Sequence, residues 1–147
     1  MPPSDAAAAE LTQGVIIEQR FQAKVQRLES VSVQWGIYYR PNSGTVRMEL
    51  LRVSVGNVLL NGTFDAASIT EGQTLSIQAA EPVETAYNTP LLLRLSSDAL
   101  LGSAVTPLVN TQEAGENFAL TVNGESTPGT LCFSVAGTDY IWTGLHY

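Results

Sequence analysis

The sequence predicts an all-β fold: a two-layer antiparallel β-sandwich, jelly-roll-like, with an immunoglobulin-like arrangement as the alternative. Three observations carry this. Apolar residues alternate in runs of strand length, bounded by Gly, Asn, Ser and Pro, at roughly 8–12-residue spacing. From Gly14 onward no run has the period of an amphipathic helix. Charged residues make up only 14% of the chain and apolar residues 44%, which suits half-buried strands better than helices with charged outer faces. The 147 residues fit one domain. A domain of that size buries about 68–70% of the surface its unfolded chain exposes, so it can hold a core without staples.

Residues 1–13 read as a flexible N-terminal lead-in, and 14–147 as a single sandwich domain. The alanines at 6–9 make at most one helical turn, too short to stand alone. Strands are predicted near 14–23, 30–40, 44–55, 57–64, 73–80, 90–97, 104–109, 117–123 and 130–136, with a last one at 139–144. The clearest is the second. Val31, Val33, Trp35, Ile37 and Tyr39 point one way, and Ser30, Ser32, Gln34, Gly36, Tyr38 and Arg40 the other. Leu91, Leu93 and Leu95 alternate in the same manner, as do Phe118, Leu120 and Val122, and then Leu131, Phe133 and Val135.

One strand changes phase. Val46, Met48 and Leu50 share one parity, whereas Leu51, Val53 and Val55 share the other, so a bulge is expected near Leu50–Arg52. Asn42-Ser43-Gly44 after Pro41 reads as a reverse turn, and Asn61-Gly62 and Asn123-Gly124 as turn dipeptides. The stretch "SSDALLGSAV" reads as a loop, with Ser97 or Asp98 placed to cap a turn that Gly102 ends. Tyr87-Asn88 also falls in a loop.

Charge excludes some partners. Residues 1–52 hold six basic and five acidic groups, a balance of +1, whereas residues 53–147 hold only Arg94 against nine acids, a balance of −8. No nucleic acid partner is expected, since that needs a basic stripe to neutralise phosphates. An anionic membrane surface is unfavourable for the same reason. No apolar run of 18 residues occurs, so no direct membrane insertion is expected, and the start "MPPSDAAAAELTQG" does not read as a signal peptide.

Chemistry is sparse. Cys132 is the one cysteine, so no internal disulfide forms, and with no basic neighbour in sequence it is not expected to be a reactive thiol. His146, the one histidine, lies one residue from the end, and no hydrolase motif surrounds any serine. No catalytic residue, cofactor or metal ligand is therefore assigned. A structural calcium is left only the acidic loops at 81–84 and 113–117. Glu49, Glu81, Glu84 and Glu116 qualify as a glycosidase pair by residue type alone, and surface solvation explains them equally well.

Aromatics are the better lead. Pyranose rings have apolar faces that stack on flat side chains, while Arg or Asn beside them bonds the hydroxyls. Tyr38, Arg40 and Asn42, at the outer end of the second strand, are the candidate ligand-binding set. Trp142 is the alternative platform: Tyr140 and Trp142 share a parity, and either face out together or close the core as a final strand.

Four stretches, "EQRFQA", "LESVSVQWGIYYRPNSGTVRMEL", "LLLRLSSDALLGSAVTP" and "NGESTPGTLCFSVAGTDY", resemble the extracytoplasmic β-sandwich domains of bacterial multi-pass membrane proteins linked to cell-surface polysaccharide and glycosyl transfer. The closest points are the aromatic–Arg–x–Asn–x–Gly element at 39–44 and "SSDA" after a leucine strand. The likeness implies a place outside the cytoplasm, at the cell surface, as part of a larger protein. It implies a non-catalytic binding or interaction domain, whose partner is a glycan or a neighbouring membrane-protein domain. The alternative is a structural or assembly module of adhesin, pilus or capsid type.

Overall fold

The structure, a computed structural model, describes residues 3–112 and 118–138, and the backbone of 143–145. Its strands in chain order are β1 (Ala6–Ala7), β2 (Ile17–Gln22), β3 (Arg27–Gly36), β4 (Thr45–Arg52), β5 (Val58–Asp65), β6 (Thr74–Glu84) and β7 (Pro90–Ser97). There follow β8 (Thr106–Asn110), β9 (Ala119–Val122), β10 (Glu125–Thr127), β11 (Thr130–Leu131), β12 (Phe133–Thr138) and β13 (Thr143–Leu145). Among the described residues they form two antiparallel sheets in two layers. One runs β10-β9-β2-β7-β4-β5; the other is built on β3, which β6, β12 and β8 all join. The expected sandwich is therefore observed.

β3 is the spine of its sheet. From Arg27 to Val33 it bonds to both β6 and β12, and at Trp35–Gly36 β8 takes over from β12. Its alternation puts Val31, Val33 and Trp35 inside, where they are wholly buried. Val46, Met48 and Leu50 of β4, and Leu91, Leu93 and Leu95 of β7, face them from the other sheet. Phe133 of β12 meets Phe21 of β2 at 5.0 Å between ring centroids, tying the layers together. The inward position between Ile17 and Phe21 is polar. Gln19 is buried because its Oε1 accepts the Leu131 N–H at 3.0 Å, which satisfies that group in an apolar interior.

Most turns follow their residues. Asn123 (φ 50°) and Gly124 (φ 82°) join β9 to β10 with both φ positive, as a two-residue type I′ hairpin requires. A bulge occurs where the phase changes in β4, but the extra residue is on the partner. Leu50 opposes Leu60 and Leu51 opposes Val58, so Leu59 of β5 is the residue left over. β4 itself keeps register with β7 through Arg52 and then ends, leaving Val55 in an exposed turn.

Several expectations are corrected. Asn61-Gly62 is not a turn but the middle of β5. A Cβ on Gly62 would sit 2.7 Å from Cγ2 of Ile77 in the other sheet, so the dipeptide marks a close approach of the layers. The acidic stretch 81–84 is the end of strand β6, not a loop. The lead-in is docked: Ala6 and Ala7 pair with Leu108 and Val109, the Leu11 N–H donates to Val105 O at 2.9 Å, and Leu11 is buried. Strand pairing with β8 supplies what a short helical turn could not. Finally, β3 stops at Gly36, and Tyr39 is not a core residue: it is 86% exposed.

Candidate functional site

The exposure of Tyr39 follows from what happens at the end of β3. The Ile37 N–H leaves the sheet and donates to Glu71 Oε1 at 2.8 Å. Tyr38 and Tyr39 then both take left-handed backbone conformations, with φ of 55° and 51°. Non-glycine residues rarely adopt this region, and two large aromatics in succession need surroundings that hold them there.

Asn42 and Arg40 supply that hold. The Asn42 side-chain amide turns inward and donates to Ile37 O at 2.8 Å and Arg40 O at 3.0 Å, closing the turn from within. Arg40 donates from Nε to Asn42 Oδ1 at 3.2 Å, and from Nη2 to Glu10 Oε1 at 2.6 Å and Ala104 O at 3.0 Å. Glu10 Oε1 also accepts the Gly102 N–H at 2.6 Å, and the Ser43 N–H donates to Ser103 O at 2.9 Å. The β3–β4 loop, the β7–β8 loop and the docked lead-in are thus one bonded unit at this end of the sandwich. Gly44 (φ 96°) completes the turn where no side chain fits, since a Cβ there would lie 2.8 Å from Asp98 Oδ1.

The unit presents flat apolar surface. Tyr38 is 39% exposed, with the Arg40 guanidinium 4.8 Å from its ring centroid in a cation–π arrangement. Tyr39 stands free beside it. The neighbouring β7–β8 loop exposes Leu100 and Leu101. Arg40 Nη1 donates to no group among the described residues, so the guanidinium keeps hydrogen-bonding capacity at the rim. Tyr38, Arg40 and Asn42 are therefore brought together, with divided roles: Tyr38 offers surface, Asn42 is buried in the turn, and Arg40 does part of each. Trp142 and Tyr140 lie outside the described residues, as do His146, Glu116 and the stretch 113–117.

Sequence reasoning missed Tyr39, Glu10 and Glu71. Tyr39 continued a perfect alternation, and tyrosine is a good strand former, so no local signal marks the break. Glu10 and Glu71 act on this loop from 30 and 34 residues away, and no spacing rule connects them to it.

Glu10 makes the unit sensitive to acid. Partial burial pushes its carboxyl up, but the Gly102 N–H, the Arg40 guanidinium and the Ala104 N–H outweigh it and hold the group below its ordinary value of 4.5. A carboxyl with a lowered folded pKa contributes stability above its unfolded value, and loses it as pH falls through the folded one. Asp5, held low by the Thr111 N–H and hydroxyl, acts in the same direction. Urea midpoints should therefore decline as pH drops below 4.5, and Glu10→Gln should make that decline shallower. An unchanged acid limb in Glu10→Gln would show that Glu10 is not coupled to folding.

Elsewhere, Cys132 is buried between β11 and β12, and burial raises its thiol to about 11, which keeps it protonated and inert. Glu49 stands in β4, and Glu81 and Glu84 in β6. Among the described residues, no three His, Cys, Asp or Glu side chains come together. No helix there is long and apolar enough to cross a membrane.

Fold and loop together define a two-layer antiparallel β-sandwich with a preorganised aromatic loop at one end. Against known proteins, the chain matches no family model and no curated protein.

Proposed function

We propose that this chain is a non-catalytic binding domain of a larger cell-surface or membrane-linked protein, and that it takes a glycan at the Tyr38–Tyr39 loop. One observation carries the reading: two consecutive tyrosines sit in left-handed conformations and point into solvent, held by Arg40, Asn42 and Glu10. Backbone strain of this kind costs on the order of 1–3 kcal/mol per residue and persists where the surroundings impose it, typically at ligand-contacting segments. Rigid, exposed aromatic rings lose little entropy on stacking against a sugar face, and Arg40 Nη1 would bond a hydroxyl or carboxylate. The likeness of four stretches to extracytoplasmic domains of polysaccharide-linked membrane proteins supports the setting.

The test is a broad glycan array followed by calorimetry on any hit. Tyr38→Ala and Tyr39→Ala should each weaken binding by about tenfold, in line with the loss of a stacked ring, with circular dichroism unchanged. Tyr39→Gly is the sharper variant. Glycine relieves the left-handed strain at an exposed site, so stability should rise by about 0.5–1 kcal/mol while affinity falls. Unaltered affinity in these variants would exclude the loop as the binding surface. An array without hits, together with mass that rises with concentration, would favour the assembly module instead.

A further inference from the structure

We infer that the free edge of β5 pairs with the same edge of a second copy of this chain, antiparallel about a two-fold axis at Gly62, so that the sheet continues from one protomer into its partner. The inference stands apart from the function proposed for the Tyr38–Tyr39 loop.

Three observations carry it. First, β5 lacks the guards that strand edges normally carry. Its sheet ends at β5, whose far side pairs with no described strand. Residues 60–65 keep unbroken register with β4. The strand holds no Lys, Arg or Pro, and its one charge, Asp65, stands at the end and accepts the Ala67 N–H at 3.0 Å. Unpaired N–H and C=O groups on a flat edge template further pairing, which charge, proline or a bulge prevents. The edge of the other layer, β6, shows that prevention: residues 79–82, with Glu81 and Pro82, bulge against Glu29 alone. The outer strands β1, β10 and β13 have only two or three residues each.

Second, apolar surface gathers along this edge. Leu59 and Phe64 are only partly buried, Val58 is 43% exposed, and Val55, in the turn before the strand, is 71% exposed. With Gly62 opposite the partner's Gly62, Leu60 lies opposite the partner's Phe64 on the inner face, twice by symmetry. Aromatic and aliphatic side chains paired in this way stabilise a sheet.

Third, charge selects that register. On the outer face, Arg47 of β4 lies beside Thr63, and Glu49 beside Asn61. Neither Arg47 nor Glu49 makes an ion pair among the described residues. The Gly62 register sets Thr63 opposite the partner's Asn61, so each row across the seam runs Arg47, Thr63, the partner's Asn61, the partner's Glu49. Opposite charges stand about 14 Å apart at the backbone, and their long side chains bring them within the screening length of about 8 Å. A slide of two residues either way sets Asn61 against Asn61 or Thr63 against Thr63, and the row then ends in two glutamates or two arginines. A slide of one residue turns the inner face outward.

Sedimentation equilibrium on the whole chain, up to about 1 mM, where even a weak pair is populated, tests the proposal. Wild-type mass should rise toward twice that of the single chain and stop there, because a two-fold contact closes on itself. Asn61→Lys/Thr63→Asp sets opposite charges across both Asn61–Thr63 pairs and should tighten the dimer about fivefold, whereas Asn61→Lys/Thr63→Lys sets like charges there and should weaken it about tenfold. Tyr39→Gly should leave association unchanged. Circular dichroism checks the fold of each variant, and Asn61→Asp/Thr63→Asp replaces the double lysine variant if lysine beside Arg47 lowers stability. A wild-type mass that stays at one chain overturns the proposal. Equal association in the two charge variants, or a loss in Tyr39→Gly, puts the contact elsewhere and overturns it as well. A dimer weakened by Asn61→Lys/Thr63→Asp overturns the register, and mass growing beyond two copies overturns the closed pair.

Discussion

Trp35→Ala should destabilise the domain by about 3–5 kcal/mol in urea unfolding, the range for truncating a large buried aromatic. Trp35 is wholly buried next to the end of β3, where its N–H donates to Gln73 O and its carbonyl accepts the Gly72 N–H on one side, and Pro107 pairs with it on the other. The two-residue period of Val31, Val33 and Trp35 places it in the core, and the packing agrees. The structure adds a distinction. Trp35 Nε1 is buried without a hydrogen-bond partner among the described residues. An unsatisfied donor costs free energy in the folded state, so Trp35→Phe removes a penalty along with some volume. Its cost should be about 1–2 kcal/mol, well below that of alanine. A Trp35→Ala loss under about 1 kcal/mol would mean that the residue is not the core aromatic described here. A Trp35→Phe loss equal to that of alanine would mean that Nε1 finds an acceptor.

Arg40→Ala should be the most damaging substitution at the aromatic loop. It removes the partner of Glu10, the donor to Ala104 O, the brace on Asn42 and the cation over Tyr38 in one step. Side chains of Arg40 and Glu10 are 32% and 21% exposed, so the pair lies between surface pairs and fully buried ones. Exposed pairs are worth up to about 1 kcal/mol and removal of one partner from a buried pair costs about 3–5, which sets the expectation near 2 kcal/mol. Arg40→Lys keeps the charge but has no planar fork to serve Glu10, Ala104 and Asn42 together, so it should recover less than half of the loss. Both variants should loosen the left-handed tyrosines and weaken ligand binding at the loop. Chemical denaturation reads the first effect and calorimetry the second. Full rescue by lysine would show that charge alone holds the loop, and that the network of directed bonds is incidental.

What was legible in the sequence is what depends on neighbours along the chain. Alternation in β3, β7 and β12 located both sheets and most of the core, because a strand with one buried face must repeat every second residue. Asn123-Gly124 announced its hairpin because few residues tolerate two positive φ values in a row. That Tyr38, Arg40 and Asn42 lie together beside a turn was also visible, as residue types. What needed the tertiary structure is what depends on partners distant in sequence. Gly62 reads as a turn residue until Ile77 of the facing sheet explains why no side chain fits there. Ala6 and Ala7 carry no strand signal; β8 makes them a strand by offering an unpaired edge. Tyr39 continues an ideal alternation and still leaves the core, because Glu71 takes the next backbone donor and Glu10, through Arg40, holds the turn that follows. Local periodicity determined the layers. Long-range hydrogen bonds decided where a strand stops, and so which aromatic faces solvent.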